Sequence, residues 1–109
     1  MKHEVNGRVV VITGASSGIG RATALKFAEA GDTVVVAARR KNLLNELVDE
    51  CEELGTEALA VETDVSDMDS MEKLAKTAEK KFGRIDVWVN DAGVGAVGKF
   101  DEIEPEDFA

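Results

Sequence analysis

Runs of β-branched residues alternate with amphipathic helical patterns along most of the chain, and this alternation constrains the fold more than any other feature. Four strands are predicted, at about residues 8–12, 33–37, 58–61 and 85–89. Three helices are predicted between them, at about residues 18–30, at about residues 41–54, and from a cap at Ser66 to a stop at Gly83. Strands that are joined by helices pair in parallel through right-handed crossovers. We therefore expect a three-layer α/β fold with flanking helices and a parallel sheet of about four strands, in the order 3-2-1-4, as in part of a doubly wound fold.

Glycines and polar residues mark the ends of the predicted helices. Gly31, Gly55 and Gly83 each follow the last residue of a helical pattern, where glycine can adopt the left-handed conformation. Ser66 and Asp69 are predicted to form a capping box at the start of the third helix. The residues from about 90 to 104 are predicted to be a glycine-rich loop, and residues 105–109 the first turn of a helix.

A glycine-rich segment, residues 13–20, joins the first strand to the first helix. Its sequence is Thr-Gly-Ala-Ser-Ser-Gly-Ile-Gly, with the spacing Gly-x-x-x-Gly-x-Gly. Backbone without side chains lets a ligand approach closely, and the first N–H groups of a helix attract an anion. A tight turn without a ligand is the alternative, but the strand before the segment and the helix after it favour a phosphate-binding loop. No Lys-Ser/Thr pair follows the last glycine, so this is not the loop of a nucleoside triphosphatase.

Polar residues follow the other three strands and are expected to share one edge of the sheet with the glycine-rich segment. Arg39 and Arg40 occupy the corner where many dinucleotide-binding units carry an acid for the ribose 2′-hydroxyl. A guanidinium there suits a 2′-phosphate, and the alternative is a solvated basic patch. Asp64 is either a helix-entry residue or an acceptor for an adenine amino group, and the spacing favours neither. Asn90 either ties neighbouring loops together or forms a simple turn, and both interpretations place it at the cleft.

The composition argues against several classes of partner and site. The chain has 22 acidic and 13 basic residues and a formal net charge of −9, so nucleic acid and anionic membranes are not expected partners. No stretch is long and apolar enough to span a bilayer, and the N-terminus shows no apolar signal segment. The one cysteine, Cys51, excludes an internal disulfide and fits a cytoplasmic location. Cys51 and Trp88 are predicted to be core residues, the acidic run at 49–53 a solvated helix face rather than a metal site, and His3 no metal ligand or base.

Taken in order, these motifs resemble those of the short-chain dehydrogenase/reductase family. The motifs are residues 13–20, the Ala-Ala-Arg-Arg corner at 37–40, Asp64-Val65, and Asn90-Asp91-Ala92-Gly93, and they cover essentially the whole chain. The resemblance implies a Rossmann fold that binds a nicotinamide dinucleotide along the strand ends, with NADP favoured over NAD because of Arg39. It also implies a set of cofactor-binding residues, namely Gly14, Ser16, Ser17, Gly18, Ile19, Gly20, Arg39, Arg40, Asp64, Val65, Asn90, Ala92 and Gly93.

Within that set, the resemblance assigns different parts of the cofactor to different segments. Residues 14–20 would hold the pyrophosphate and the adenosine ribose, and the two arginines would take the 2′-phosphate. Asp64 and Val65 would contact adenine, and the residues from Asn90 to Gly93 would lie along the ribose and nicotinamide half.

The chain departs from the family pattern in two ways. Asp91 stands where the family usually has a second asparagine, which replaces an amide able to donate with a carboxylate that only accepts. The chain also contains no tyrosine, whereas the family's proton donor is a tyrosine in a Tyr-x-x-x-Lys motif that is supported by a serine.

The resemblance implies an NADP(H)-dependent oxidoreductase that moves hydride between the cofactor and a carbonyl or alcohol. Residues 1–109 would then be its N-terminal cofactor-binding half, inactive alone, with a small carbonyl or alcohol as the substrate of the whole protein. A half-domain that only binds nucleotide, or only folds, is the alternative. A third possibility, an adenosine-binding protein such as a methyltransferase, is disfavoured because that class usually has an acid where Arg39 stands. Self-association through the strand at residues 85–89 is expected as well.

Overall fold

The computed structural model describes residues 7–16 and 18–90, which form a parallel sheet with helices on both faces. The elements in chain order are β1 (Val9–Thr13), α1 (Gly18–Glu29), β2 (Thr33–Ala38), α2 (Lys41–Glu53), β3 (Ala58–Glu62), α3 (Met68–Phe82) and β4 (Val87–Asn90). The strand order is β3-β2-β1-β4 and every neighbouring pair is parallel, which confirms the predicted topology. Among the described helices, none combines the length and apolar character needed to cross a membrane.

The two central strands are buried along their whole length, because helices cover both faces of the sheet. Successive side chains of a strand point to opposite faces, so each strand contributes to two separate cores. The core on the side of α1 and α2 contains Val10, Ile12, Val34, Val36, Ala24, Leu44, Leu47 and Cys51. The core on the side of α3 contains Val9, Val11, Val35, Leu74, Ala78 and Phe82, with Trp88 packed against it. The core positions predicted for Cys51 and Trp88 are thus confirmed, although Trp88 is only partly buried.

The predicted helix stops are confirmed, whereas the predicted capping box is wrong. Gly31, Gly55 and Gly83 follow the three helices with φ of 91°, 98° and 89°, the left-handed conformation that glycine adopts without strain. At the start of α3, however, the N-cap is Asp67, whose carboxylate accepts a hydrogen bond from the Asp69 amide at 3.0 Å. The Ser66 hydroxyl instead donates to Oδ1 of Asp64 at 2.6 Å.

Strand and helix boundaries differ from the sequence prediction by one or two residues. The first three strands each extend one residue further than predicted, β1 begins one residue later, and α1 and α2 end one residue earlier. The largest difference is in β4, which spans Val87–Asn90 rather than residues 85–89, so Asn90 is part of the strand and not of the following loop. The rest of the loop that was predicted from about 90 to 104 and the helical turn predicted at 105–109 lie outside the described residues, as does His3.

Two carboxylates hold the amino end of β1, at the edge of the sheet opposite the predicted site. Asp32 is nearly buried and accepts from the amide and the guanidinium of Arg8, at 3.0 and 3.3 Å. Asp86 accepts from the amide of Val9 at 2.8 Å and from Nε of Arg84 at 2.8 Å. These contacts satisfy backbone N–H groups before the strand ladder begins. The backbone amide of Asp86 also donates to the carbonyl of Val9 at 2.8 Å, so Asp86 is joined to β1 by two hydrogen bonds just before β4 begins.

Candidate functional site

The segments that follow the strands lie along one edge of the sheet and are tied to one another there. The amide of Ala15, just after β1, donates to the carbonyl of Ala37 in β2 at 3.2 Å. The amide of Thr63, just after β3, donates to the carbonyl of Ala38 at 2.8 Å. On the other side of β1, the Thr13 hydroxyl donates to Oδ1 of Asn90 at 2.8 Å. The carboxyl-end edge is therefore one continuous surface across all four strands.

The glycines of the glycine-rich segment have different structural roles. Gly14 turns the chain out of β1 with φ of 69°, a conformation that side chains disfavour. Gly20 packs directly beneath that turn, since a Cβ there would lie 2.3 Å from the Gly14 carbonyl oxygen and 2.9 Å from Cα of Ala15. A Cβ on Gly18 would meet nothing within 4 Å. The fold itself thus requires two of the glycines, while Gly18 leaves open space at the first residue of α1.

That open space suits an anion. The first turn of α1 contains no acidic residue, and the N–H groups of a first helical turn have no partner within the helix. Ser16 and Ile19 are exposed beside it, and 74% of the Ile19 surface is accessible. Among the other predicted site residues, Ser17, Ala92 and Gly93 lie outside the described residues, as does Asp91.

Arg39 lies on the wall of a cavity of about 300 Å³ between the end of β2, the end of β3 and the start of α3. The lining residues are Arg39, Glu62, Thr63, Asp64 and Ser70. In the described part of the chain, Arg39 makes no ion pair and no side-chain hydrogen bond. Arg40 does not line this cavity; it is the exposed N-cap residue of α2 and makes no side-chain capping bond. The structure therefore separates the two arginines that the sequence analysis had grouped together.

Asp64 is fixed by hydrogen bonds on both its side chain and its backbone. Its Oδ1 accepts from the amide of Ser66 at 3.0 Å and from the Ser66 hydroxyl at 2.6 Å. These two bonds lower the pKa of the Asp64 carboxyl, with a smaller contribution from the positive charge of Arg39 and a small opposing effect of burial. The Asp64 amide donates to Oγ of Ser70 at 2.9 Å. Because Asp67 is the cap of α3, Asp64 holds the preceding turn rather than the helix itself, and its second carboxylate oxygen faces no described donor.

Three residues of the cavity wall were missed by the sequence analysis: Glu62, Thr63 and Ser70. Glu62 ends β3 and is in register with Ala38 at the end of β2. The predicted strand order would have placed these two positions side by side, so a signal for Glu62 existed in the sequence. Ser70 lies in the first turn of α3, and nothing in the sequence pattern connects it to Asp64. Val65, by contrast, was predicted and is 37% exposed at the same turn.

Comparison with known proteins identifies the family. The model of the family described as short chain dehydrogenase matches residues 8–109. The chain belongs to the short chain dehydrogenase family. It is 45% identical over 104 residues to the uncharacterized oxidoreductase YxnA of Bacillus subtilis, and 41% identical over 102 residues to 11-beta-hydroxysteroid dehydrogenase A of Sesamum indicum. These matches cover 95% and 93% of this chain but only 29% of each relative, so the chain spans less than a third of their length.

Solved structures of the family show the same fold. An alcohol dehydrogenase from the archaeon Thermococcus sibiricus, complexed with 5-hydroxy-NADP, matches with a TM-score of 0.78 and 36% identity, over 94% of this chain and 44% of that one. A 7α-hydroxysteroid dehydrogenase complexed with NADH matches with a TM-score of 0.75 and 38% identity, over 79% of this chain and 34% of that one. Proteins this similar have thus been solved with nicotinamide dinucleotides that carry a 2′-phosphate and with ones that lack it. The described residues contain no cluster of His, Cys, Asp and Glu side chains that could hold a metal ion.

Proposed function

We propose that this chain is the cofactor-binding part of an NADP(H)-dependent oxidoreductase that interconverts a carbonyl and an alcohol. The observation that supports NADP is Arg39, a guanidinium with no described ion-pair partner on the wall of the cavity that follows β2. A guanidinium binds phosphate oxygens through two parallel hydrogen bonds, and a neutral ribose hydroxyl offers it no comparable partner. The printed names of similar proteins, alcohol dehydrogenase and hydroxysteroid dehydrogenase, support the carbonyl or alcohol as substrate class.

The binding residues divide along the edge of the sheet. The open space at Gly18 would receive the pyrophosphate against the start of α1, flanked by Gly14, Ser16, Ser17, Ile19 and Gly20. The Asp64–Val65 turn would contact adenine, with the free carboxylate oxygen of Asp64 accepting from the amino group. Asn90, Ala92 and Gly93 would lie along the nicotinamide half. The cofactor supplies the hydride when it is bound, and the protein supplies its orientation.

A non-catalytic nucleotide-binding unit is the second candidate. The 109 residues contain no tyrosine, and the family resemblance assigns the role of proton donor to one. We therefore expect the chain by itself not to reduce a carbonyl, and we propose that residues 1–109 act as the N-terminal half of a larger Rossmann unit. NADPH-dependent carbonyl reduction by the purified chain would contradict this part of the proposal.

Titration with NADP⁺ and NAD⁺, followed by calorimetry, tests the cofactor assignment. Wild-type protein is expected to bind NADP⁺ more tightly than NAD⁺, and Arg39→Ala is expected to lose that preference. Loss of one charge-assisted contact to phosphate corresponds to about 1.5–3 kcal/mol, which raises the Kd for NADP⁺ by roughly 10- to 100-fold. The Kd for NAD⁺ should not change. Lys81→Ala is the matched control, since it removes one positive charge from an exposed position in the last turn of α3. Equal affinity for both cofactors in the wild type would refute the assignment.

Two further proposals concern the setting of the protein. Cys51 is a buried free thiol, which is compatible with a reducing cytoplasm.

Among the described strands, β4 pairs with β1 alone, and an unpaired strand edge is a template for another strand. We therefore expect self-association at high concentration through residues 85–89 and the edge of β4. Light scattering that shows a monodisperse monomer at millimolar concentration would contradict it.

A further inference from the structure

We propose that Glu62 is a specificity-determining residue that weakens the binding of a 2′-phosphorylated dinucleotide, so that cofactor choice depends on Arg39 acting against Glu62. The inference rests on the proposed function, because it concerns the same cofactor site. It assigns a role to a residue outside the motifs that carry the family resemblance.

The sheet register places Glu62 beside the phosphate-selecting corner. Glu62 and Ala38 are direct partners across the pair of β3 and β2, and neighbouring strands lie about 4.8 Å apart. The next residue after Ala38 is Arg39, and the cavity is lined by both Arg39 and Glu62.

The negative charge of Glu62 is not neutralised by the surrounding protein. Glu62 is exposed and makes no ion pair or side-chain hydrogen bond with the described residues. The carboxylate of Asp64, in contrast, already accepts two hydrogen bonds from Ser66. Of the two acids on the cavity wall, Glu62 is therefore the one whose carboxylate accepts no hydrogen bond from the described residues.

The two possible cofactors interact with this charge differently. A 2′-phosphate beside Arg39 brings between one and two negative charges to a wall that carries one cation and two carboxylates, so the like charge of Glu62 opposes its binding. A 2′-hydroxyl carries no charge and can donate a hydrogen bond to a carboxylate. Glu62 thus opposes the preference that Arg39 creates.

The test measures binding of two small probes, adenosine 2′,5′-bisphosphate and 5′-AMP, to the 109-residue chain and its variants. The probes share the adenosine and the 5′-phosphate and differ by the 2′-phosphate. For Glu62→Gln we expect the Kd for the bisphosphate to fall by about threefold, the effect of removing one exposed like charge. The Kd for 5′-AMP is expected to stay constant or rise. Glu79→Gln, at an exposed position in the last turn of α3, makes the same change in net charge and is expected to alter neither.

Each outcome decides the inference. A selective gain in affinity for the bisphosphate supports it, since a misfolded variant can only lose binding. An unchanged affinity in Glu62→Gln, while the wild type binds the bisphosphate, overturns the inference and leaves the proposed function standing. An equal gain in Glu79→Gln also overturns it, because the effect is then one of net charge. Failure of all three proteins to bind either probe overturns the proposed function together with the inference.

Discussion

Two glycines that are only two residues apart are expected to respond differently to alanine substitution. Gly20→Ala should destabilise the fold, whereas Gly18→Ala should weaken cofactor binding and leave the fold stable. A Cβ at Gly20 would lie 2.3 Å from the Gly14 carbonyl oxygen and 2.9 Å from Cα of Ala15. Both neighbours are backbone atoms, so relief requires the turn itself to move. Overpacking of this kind costs about 1–3 kcal/mol, and the better helix propensity of alanine returns at most about 1 kcal/mol. We expect Gly20→Ala to lower the free energy of unfolding by about 1–2 kcal/mol.

Gly18→Ala places its methyl group in open space, so the fold is expected to tolerate it. Alanine in a helix is favoured over glycine by up to about 1 kcal/mol, and the unfolding midpoint should stay constant or rise. Binding of NADP⁺ should nevertheless weaken by at least about tenfold, or 1.4 kcal/mol, because the methyl group occupies the space through which a phosphate approaches.

Urea denaturation and calorimetric titration of the same preparations separate the two effects. Thermal unfolding gives an independent check on Gly20→Ala, because each kcal/mol lost from the free energy of unfolding is expected to lower Tm by about 4–8 °C. If Gly20→Ala is as stable as the wild type, the close approach of α1 to the Gly14 turn is wrong. If Gly18→Ala binds NADP⁺ as tightly as the wild type, the open space at Gly18 does not serve a phosphate.

Three further predictions follow from groups away from the glycines. Asp32→Asn should lower the free energy of unfolding by about 1–3 kcal/mol, because the Asp32 carboxylate accepts two hydrogen bonds from Arg8 just before β1. Asp49→Asn, on the exposed side of α2, is the control. Equal urea midpoints for the two variants would show that Asp32 does not stabilise the start of β1. Since the pKa of Asp64 is lowered in the folded state by Ser66, its stabilising contribution is present above about pH 4 and is lost as the pH falls through the folded pKa. In Ser66→Ala, an NMR titration should show the pKa of Asp64 returning towards the ordinary range, and an unchanged titration would refute the assigned cause. Burial raises the pKa of the Cys51 thiol, so alkylation by iodoacetamide at pH 8 should occur only as the protein unfolds, and rapid labelling of native protein would show that the thiol is accessible.

The topology could be predicted from the sequence because it depends on patterns that are local and strong. Uninterrupted β-branched runs such as Val9–Thr13 favour strands that are covered on both faces, and the glycines after the helices mark where each helix ends. From these two signals the strand order and the common edge of the site follow by the rules for parallel sheets.

The details that were wrong or missed depend on contacts between residues that compete or that meet only in space. Ser66 was predicted to be the cap of α3, but its hydroxyl donates to the Asp64 carboxylate, and the neighbouring Asp67 is the N-cap. β4 begins after Asp86, although both the side chain and the backbone amide of Asp86 bond to Val9. Glu62 was overlooked because the sequence motifs do not show directly which residues are neighbours on adjacent strands, and Glu62 lies beside Ala38.

The two ends of β1 differ in how they are connected to the rest of the fold. Asp32 and Asp86 fasten its amino end to neighbouring segments, whereas Arg39 and Glu62, at the other edge, are exposed and make no ion pair with the described residues. Under the proposed function, substitutions at these two positions would change cofactor selectivity with little effect on thermal stability. Directed evolution towards a different nicotinamide cofactor would therefore begin by randomising Arg39 and Glu62.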